Sequence, residues 1–481
     1  MTIILDYHEQ TSHSRGRITG RPPNQDNRPM PFKRYAGVPT LTAGADADLP
    51  DVSLNQAMLG AEGTALPDRA DLPGLLASAC SLTAGISQAR KLPSGAVFHF
   101  RTVPSAGALF PAELYLAVQN VIGMDDGVYH YCPILHAMSQ LRAGPVFVQA
   151  ESDRAPMVRF LLTSVFFRSA WKYGARAYRY CLLDTGHMAQ NLLLAAAIHG
   201  LGGSLDYDFD DAAMNAMLGL DPSLEGCLAV VHALGCDQTT AWAPPPRATA
   251  DDLPGFSRCA PRPESPPELL DAHRATASFA RCPTGRRPGP PGEFVPLADP
   301  EFPASTAATI LARRSRRDFV SRPAPARDLT DLLGLLCLDQ GPDCTGAVHA
   351  GFLADRTSGL TPGRHALLRA HHATTLLAPG SLLTKAARVC LDQGWLDTAA
   401  LHLTFTADLA GLVRRCGPRA YRYAHLEAGR LGQLAYLAAT AKRLGACGIG
   451  AFFDQEAATL LALPQGHALL YLVAVGCVRN P

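Results

Sequence analysis

The sequence lacks the marks of several protein classes. Its 13 cysteines form no Cys-X-X-Cys pair, and its net charge is only +1 at pH 7. It also has no uninterrupted apolar run of about 18 residues, the length that a membrane-spanning helix needs. These gaps argue against a zinc module, a membrane span and a general electrostatic attraction to nucleic acid or anionic membrane. We therefore expect no metal, no nucleic acid and no membrane among its ligands.

The sequence also shows neither a signal peptide at its start nor the cysteine spacing of a disulfide framework. The first ten residues, MTIILDYHEQ, include acidic side chains and no long apolar stretch, unlike a signal peptide. An odd number of singly scattered cysteines is typical of buried, reduced thiols. Both observations predict a soluble, cytoplasmic protein.

What the chain does contain is an internal repeat. KYGARAYRY at 172–180 and RCGPRAYRY at 415–423 share six of nine letters, at an offset of 415 − 172 = 243 residues. CLAVVHALGC at 227–236 likewise matches ALLYLVAVGC at 468–477. Repetition on this scale indicates a tandem duplication of a whole domain. If the single domain forms two-fold dimers, the duplicated chain forms a pseudo-dimer within itself.

Proline marks the join between the two halves. The stretch from 238 to 300 contains Pro244-Pro245-Pro246 and two further Pro-Pro pairs, which is typical of a linker. The sequence thus predicts an irregular amino-terminal arm (1–65), a first domain (66–238), a proline-rich linker (239–300) and a second domain (301–481).

A basic run that includes a hydroxyl precedes the helical pattern of the second domain. In ARRSRRDF, Arg313, Ser315 and Arg317 offer the charge-assisted and neutral donors that bind a phosphate monoester. A solvated basic face is the alternative interpretation of the same run.

Several segments together resemble the flavin-dependent nitroreductase superfamily. They are RRSRRDF with the helical leucine pattern after it, PSAGALFPAELYL, KYGARAYRY and the Gly-Leu-Gly end of the long helix. Within that superfamily the chain resembles the SagB-type dehydrogenases, which include the azoline oxidases of thiazole- and oxazole-modified peptide biosynthesis. The resemblance implies two tandem α+β domains, each with a central mixed sheet flanked by helices, and FMN bound between them.

The resemblance divides one FMN site between the two domains. From the second domain it implies a phosphate clamp, a loop beside the flavin and a basic tail residue: Arg313, Ser315 and Arg317; Gly448, Ile449 and Gly450; and Arg479. From the first domain it implies a loop and a pair that overhangs the ring: Pro104, Ser105, Ala106 and Gly107; and Lys172 and Tyr173. Glycine in the flavin loop would let the backbone approach a flat ring closely.

The opposite interface lacks the corresponding parts. Asp206 and Tyr207 stand where its flavin loop should be, and Gln238 stands in place of the basic tail residue. Arg415 and Cys416 replace the Lys-Tyr pair, and the PSAGA segment has no counterpart in the second domain. We therefore expect one FMN per chain rather than two.

Lys172 and Tyr173 are the candidate catalytic pair. Oxidation of an azoline needs a base, and burial disfavours the charged form of an amine, so that its neutral form can serve as that base. We therefore expect a buried, catalytic Lys172, with Tyr173 sharing the proton or orienting the substrate. Alternatively, Lys172 pairs with an acid and Tyr173 packs its ring against the flavin.

Other polar residues on the long helical pattern (178–199) favour structural roles. The RAYRY motif is retained in both copies, which predicts a helix start tied to the partner domain. His187, Gln190 and Asn191 fall on a helix that is apolar nearly all round, and they are interpreted as hydrogen-bonded interface residues.

Three functions compete. The first is an FMN-dependent dehydrogenase or oxidase acting on a peptide or small-molecule azoline, with a cyclodehydratase as a candidate partner. The second is an NAD(P)H-dependent nitroreductase or quinone reductase, and the third is a non-catalytic flavin-binding scaffold in a biosynthetic complex. The Lys-Tyr pair favours the first, because hydride shuttling alone needs no protein base.

Overall fold

The computed structural model describes residues 2–18, 22–42, 49–59, 71–150, 152, 154–278, 293–338 and 346–479. Parts of the predicted arm and linker, including the arm's predicted end at residue 65, lie outside these ranges. The helices of the described residues are α1 (Ile3–Gln10), α2 (Leu54–Leu59), α3 (Leu72–Ala84), α4 (Phe166–Tyr173), α5 (Ala177–Ile198), α6 (Asp211–Leu218), α7 (Leu253–Phe256), α8 (Pro267–Ala275), α9 (Thr306–Ala312), α10 (Ala326–Leu338), α11 (Leu383–Val389), α12 (Leu409–Cys416), α13 (Ala420–Ala441) and α14 (Asp454–Leu460).

The strands form two large sheets and one small one. They are β1 (Thr40–Thr42), β2 (Ile86–Lys91), β3 (Val97–Arg101), β4 (Ala112–Gln119), β5 (Gly127–Cys132), β6 (Ala137–Ala143), β7 (Met157–Val165), β8 (Ser204–Asp206), β9 (Glu225–His232), β10 (Arg247–Ala248), β11 (Val295–Pro296), β12 (His349–Ala354), β13 (Gly363–Leu368), β14 (Ala373–Pro379), β15 (Leu401–Asp408), β16 (Gly445–Ile449) and β17 (His467–Gly476).

The two large sheets repeat the same strand order. The first runs β1-β6-β5-β4-β7-β9-β8 and the second β11-β14-β13-β12-β15-β17-β16, so each strand of these orders has a counterpart in the other half; β10 is an addition to the first sheet, where it pairs with β6. The pairings within the sheets are antiparallel, and a parallel bridge between Ser315 and Ala446 adds a mixed edge beside β16. Helices flank both sheets. The predicted tandem α+β fold is confirmed.

Helices α5 and α13 form the centre of the pseudo-dimer. Both are buried along almost their whole length, as an apolar helix must be. They cross at Gly186 and Gly429, where a Cβ on either glycine would overlap a backbone carbonyl of the other helix, Leu426 or Leu183. The two glycines are 429 − 186 = 243 residues apart, so the crossing lies on the pseudo-two-fold axis.

The RAYRY motif ties each helix start to the other domain. Arg176 and Arg179 donate to the Asp454 carboxylate of the second domain at 2.9 and 2.6 Å. The contacts at the equivalent positions are Arg419–Asp211 at 2.7 Å and Arg422–Asp211 at 2.6 Å. The structural interpretation of this motif is confirmed.

The amino-terminal arm is more regular than the sequence predicts. Residues 3–10 form α1, and the Tyr7 ring packs edge-on against Tyr178 at 6.2 Å and against Tyr421 at 6.0 Å. The Tyr7 hydroxyl donates to the carbonyl of Ala175 at 2.6 Å. Since this helix is short and its sequence periodicity is weak, tertiary contacts at the domain joint account for its formation.

The described part of the predicted linker is packed rather than free. Residues 247–248 pair with β6, and Leu269 and Ala272 of α8 are buried in the main core. Thr276, just after α8, lies 2.8 Å from the Tyr178 hydroxyl. Proline is compatible with this packing because it sits at the first turn of α8, where its missing N–H costs nothing.

Two further observations concern the cysteines and the helices. Ten cysteines of the described residues are free thiols, and Cys416 is disulfide-bonded. Among the described residues, no helix combines the length and the hydrophobicity needed to cross a lipid bilayer.

Candidate functional site

The loop from Pro104 to Gly107 follows β3 and is fixed by a carboxylate on α5. The Ser105 hydroxyl donates to Asp184 at 2.6 Å, and the backbone N–H of Ala106 donates to both carboxylate oxygens at 3.3 Å. Gly107 has a φ of 65°, a conformation that glycine adopts without strain. Asp184 therefore sets the path of the loop that the sequence assigns to the flavin.

Lys172 and Tyr173, at the end of α4, lie directly against this loop. A Cβ placed on Gly107 would be 2.6 Å from the Tyr173 hydroxyl oxygen and 3.3 Å from Lys172 Nζ. Burial is the main cause that raises the pKa of Tyr173 above its ordinary value, so its phenol is neutral at physiological pH. The structure thus brings the predicted loop and the predicted pair together.

Lys172 differs from the expectation in one respect. Its side chain is exposed, whereas the sequence argument requires a buried amine. Lys172 stands in the last turn of α4, one residue before the helix ends at Tyr173. Protein atoms alone therefore do not desolvate Nζ.

Arg313 joins the second domain to the first. Its side chain is buried, and it donates from Nε to the carbonyl of Thr102 at 2.9 Å and from Nη2 to the carbonyl of Arg101 at 2.8 Å. Nη1 is buried, and no group of the described residues forms a hydrogen bond with it. Burial lowers the pKa of Arg313 to about 10, so the group stays charged at neutral pH. The Nη1 amino group of this arginine, with its two N–H donors, therefore remains for a ligand.

Ser315 and Arg317 are exposed beside β16, at the edge of the second sheet. The Ser315 hydroxyl lies 3.1 Å from the Tyr436 hydroxyl, and the Arg317 guanidinium lies 5.6 Å from the centre of the Trp395 ring. Arg479 is also exposed and directly follows Val478, which bridges Phe319. The predicted clamp and tail residues therefore lie on neighbouring segments.

The glycines of the predicted flavin loop lie against tyrosine side chains, whereas the sequence analysis expected the flavin ring beside them. A Cβ on Gly448 would overlap the Tyr471 hydroxyl, and one on Gly450 would come within 2.6 Å of the Tyr180 ring. Ile449, between them, is buried. Close approach by tyrosines of the protein is therefore sufficient to explain why glycine stands at both positions.

Tyr436, which the sequence analysis missed, connects these parts. Its hydroxyl accepts a hydrogen bond from the Gly448 N–H at 2.6 Å and lies beside Ser315. The Arg313 guanidinium lies 5.5 Å from the centre of its ring. No local motif marks Tyr436, because its role depends on where α13 passes the edge of the sheet.

Comparison with known proteins identifies both halves. The model of the Nitroreductase family matches residues 67–235 and again residues 310–477, together more than half of the chain. The chain belongs to the nitroreductase family. The double match agrees with the repeated strand order of the two nitroreductase domains.

The chain resembles three curated relatives over part of their length. "Putative nitroreductase MJ1384" of Methanocaldococcus jannaschii is 37% identical over 111 residues, 21% of this chain and 56% of that protein. The trifolitoxin-processing protein TfxB of Rhizobium leguminosarum bv. trifolii is 31% identical over 146 residues, 27% of this chain and 39% of that protein. The microcin B17-processing protein McbC of Escherichia coli is 30% identical over 133 residues, 25% and 49% respectively. The chain thus spans about half the length of the curated relatives it matches.

One solved structure has the same two-domain fold. It is the crystal structure of a "putative nitroreductase" from Anabaena variabilis, which is 23% identical and superimposes with a TM-score of 0.76. The superposition covers 100% of both chains. This likeness shows that the fold of the two domains together also occurs in that protein.

Asp184 is a second residue of the site that the sequence analysis missed. Burial raises its pKa from an ordinary value of 3.8 to about 7, and the hydrogen bonds from Ser105 and Ala106 only partly oppose this effect. The signal was available, because Asp184 is the only acidic residue of α5. An isolated carboxyl in an apolar helix, near a predicted loop, is typical of a functional site.

His187 and its neighbours behave as predicted. His187 contacts Gln433 at 2.8 Å and the Tyr471 hydroxyl at 3.0 Å, and burial lowers its pKa to about 3. Gln433 also donates to Asn191 at 2.7 Å. These are hydrogen-bonded interface residues held between the two nitroreductase domains.

The equivalent interface on the opposite side is filled by side chains. Tyr207 stacks on Tyr423 with ring centres 6.1 Å apart, and Tyr207 is 3% exposed. At the position equivalent to Asp184, Glu427 forms a buried ion pair with Arg430, which also donates to Gln190. The space between the domains on that side is therefore occupied by protein.

The residues at the interface that contains Arg313 and the Pro104–Gly107 loop fit a phosphate-bearing, planar ligand. The unpartnered Nη1 of Arg313 is a buried, charged donor, and an unmade hydrogen bond of this kind is costly unless a ligand completes it. Ser315 and Arg317 offer further donors at the same edge of the sheet. This donor set matches the phosphate group of the flavin cofactor that the family implies.

Proposed function

We propose that the chain is an FMN-dependent dehydrogenase of the SagB type that oxidises an azoline ring in a peptide or small molecule. In this proposal FMN binds between the two nitroreductase domains, at the interface that contains Arg313 and the Pro104–Gly107 loop. Arg313, Ser315 and Arg317 hold its phosphate, with Arg479 nearby. The loop Pro104–Gly107 and the segment Gly448–Gly450 border its ring.

The observation that carries the proposal is the position of the Lys-Tyr pair. Lys172 Nζ and the Tyr173 hydroxyl both lie against Gly107, in the loop that borders the cofactor. Arg313 reaches the carbonyl of Thr102, two residues before that loop, from the other domain. A potential base, a phenol and a phosphate clamp therefore meet where the two domains join.

The roles of the protein groups follow from their chemistry. FMN, when bound, supplies an acceptor for the hydride that leaves the azoline. Lys172 accepts the proton that leaves the neighbouring ring carbon, so that loss of one hydride and one proton converts azoline to azole. Because Lys172 is exposed, the bound substrate must exclude water from Nζ before the amine can act as a base. Tyr173, which is neutral, donates a hydrogen bond that orients the substrate ring.

Two curated relatives support the substrate class. TfxB and McbC are named for the processing of trifolitoxin and microcin B17. The proposal includes a cyclodehydratase as a partner, because an azoline forms by loss of water between a side chain and the preceding amide. The chain described here would then act on the product of that dehydration.

Substitution of Lys172 tests the proposal. We expect Lys172→Ala to keep bound FMN, measured by its visible absorbance, and to lower azoline turnover by about 100-fold or more, the usual contribution of a general base. The matched control is Arg415→Ala, the equivalent position of the second domain, which should leave turnover unchanged. Undiminished azoline turnover in Lys172→Ala would contradict the role of base. If the unmodified chain reduces nitro compounds with NAD(P)H but oxidises no azoline, the result favours an ordinary nitroreductase.

A further inference from the structure

The β2–β3 hairpin stands apart from both domain sheets. Ile86–Lys91 and Val97–Arg101 pair only with each other, in a two-stranded sheet of their own. Within the described part of the chain, no strand or bridge pairs with the outer edge of either. A two-stranded ribbon is marginally stable by itself, and an unpaired edge is a template for another strand.

The hairpin is anchored at the candidate site. β3 ends at Arg101, three residues before the loop that starts at Pro104. Arg313 donates to the carbonyls of Arg101 and Thr102. Its neighbour Arg314 contacts the Ser87 hydroxyl of β2 at 3.1 Å. The same basic run therefore contributes to the phosphate clamp and fixes the hairpin beside it.

The two strands of the hairpin differ in exposure. His99 of β3 packs edge-on against Phe32 with ring centres 5.3 Å apart, and the second half of β3 is at most half-exposed. Four consecutive residues of β2, from Gln88 to Lys91, are exposed. The accessible edge is therefore that of β2.

The formal charges of the hairpin are all positive. The segment 86–101 contains no acidic residue, and Arg90 and Lys91 are both exposed on β2. Arg90 and Arg314 lie over the Phe100 ring at 5.9 and 5.4 Å, which holds both guanidiniums on one face of the hairpin. Among the described residues none of these three cations forms an ion pair with an acid.

We propose that the β2 edge binds an extended, acidic segment of a peptide substrate by β-strand addition. This inference rests on the proposed function and selects a peptide over a free small-molecule azoline as the substrate. Backbone N–H and C=O groups of the edge would give affinity, and the basic side chains would select an acidic sequence. Since the hairpin runs into the Pro104–Gly107 loop, the bound strand would lead its azoline towards Lys172.

Direct binding tests the inference without any turnover. The probe is a fluorescent twelve-residue peptide of alternating Glu and Val, and its anisotropy is measured with the full FMN-loaded chain. We expect binding that weakens as salt is raised, and roughly tenfold weaker binding to the double variant Arg90→Glu/Lys91→Glu. The matched control is Arg414→Glu/Arg415→Glu, two adjacent exposed arginines of α12, which should bind as the unmodified chain does. Equal loss in both double variants would overturn the assignment to β2.

N-methylated peptides test the strand geometry. Methylation of one alternating set of backbone amides should abolish binding, and methylation of the other set should leave it intact, because only every second N–H of an added strand faces its partner. An equal effect of both sets would overturn strand addition.

A turnover comparison separates this inference from the proposed function. The Arg90→Glu/Lys91→Glu variant should oxidise a free thiazoline as well as the unmodified chain does, while its KM for an acidic azoline peptide rises about tenfold. If the unmodified chain oxidises free thiazoline and the peptide with equal kcat/KM, the hairpin is not a substrate-binding element. If no azoline is oxidised but the acidic peptide still binds at β2, the proposed function fails and the binding site stands.

Discussion

At the scale of single residues, Asp184 and Glu427 occupy equivalent positions with opposite surroundings. They are 427 − 184 = 243 residues apart. Glu427 is neutralised by Arg430. Asp184 instead accepts hydrogen bonds from Ser105 and Ala106, and no arginine or lysine of the described residues pairs with it. The acid at the candidate site is thus the one left without a counter-charge.

The raised pKa of Asp184 predicts a pH dependence of stability. Because the folded-state pKa is about 7 and the ordinary value is 3.8, the folded chain keeps this proton to higher pH than the unfolded chain. The associated stability is complete below about pH 4 and is lost as pH rises to 7. We expect Asp184→Asn to gain stability relative to the unmodified chain by up to roughly 1.4 kcal/mol per pH unit across that window.

Urea unfolding at pH 4, 5.5, 7 and 8 measures this difference. Glu427→Gln serves as the matched control, and it should be less stable at neutral pH because it leaves Arg430 buried without its partner. A stability difference between Asp184→Asn and the unmodified chain that does not vary with pH would show that folding leaves the pKa of Asp184 unchanged.

Much of the candidate site could be predicted from the sequence, but the partners of its residues could not. The position of Lys172 and Tyr173 against Gly107 agrees with the predicted grouping. The sequence could not reveal that Arg313 uses two donors on carbonyls of the other domain, since those carbonyls belong to residues 211 and 212 positions away. Such contacts depend on how the domains dock, which no local pattern encodes.

At the scale of elements, buried ion clusters around Asp454 and Asp211 hold the starts of α5 and α13. The two clusters differ in whether they also contact the candidate site. Burial opposes the ionisation of Asp454, but Arg179 and Arg176 outweigh it and hold its pKa well below the ordinary value. Arg176 also donates to the carbonyl of Gly450 at 3.1 Å, in the predicted flavin segment. The equivalent cluster around Asp211 has no such link to the candidate site.

Paired substitutions separate these two roles. Asp454→Ala and Asp211→Ala should each lower the free energy of unfolding by about 3–5 kcal/mol, because each removes the carboxylate that balances the charge of two buried arginines. Only Asp454→Ala should also weaken FMN binding, measured by titration of the stripped protein with FMN. The milder Asp454→Asn and Asp211→Asn provide the same comparison if the alanine variants do not fold. Equal loss of FMN affinity in both members of a pair would show a purely global effect.

Elements with strong patterns were predictable, and those formed by docking were not. The long helix at 178–199 is α5, in agreement with its apolar pattern. α1 and α8 were missed because one is short and the other follows a Pro-rich sequence. Both form where they can bury Tyr7 or Leu269 against the rest of the chain.

At the scale of the whole molecule, the pseudo-two-fold axis creates two interfaces, and side chains of the described residues fill one of them. We expect purified protein to bind one FMN per chain, because Tyr207, Tyr423 and the Glu427–Arg430 pair occupy the second interface. Heat release of the flavin, followed by absorbance against protein concentration, measures the ratio. A ratio of two per chain would contradict the filled interface.

The crossing of α5 and α13 also has a consequence for synthesis on the ribosome. α13 begins 420 − 177 = 243 residues after α5, so the first domain emerges with its long, buried central helix uncovered while the rest is still being translated. The parts of the candidate site are spread from Pro104 to Arg479, so the cofactor can be captured only when translation is almost complete. During that interval the nascent first domain needs protection from aggregation. A chain that stalls in the linker would release an aggregation-prone half-molecule rather than a small working enzyme.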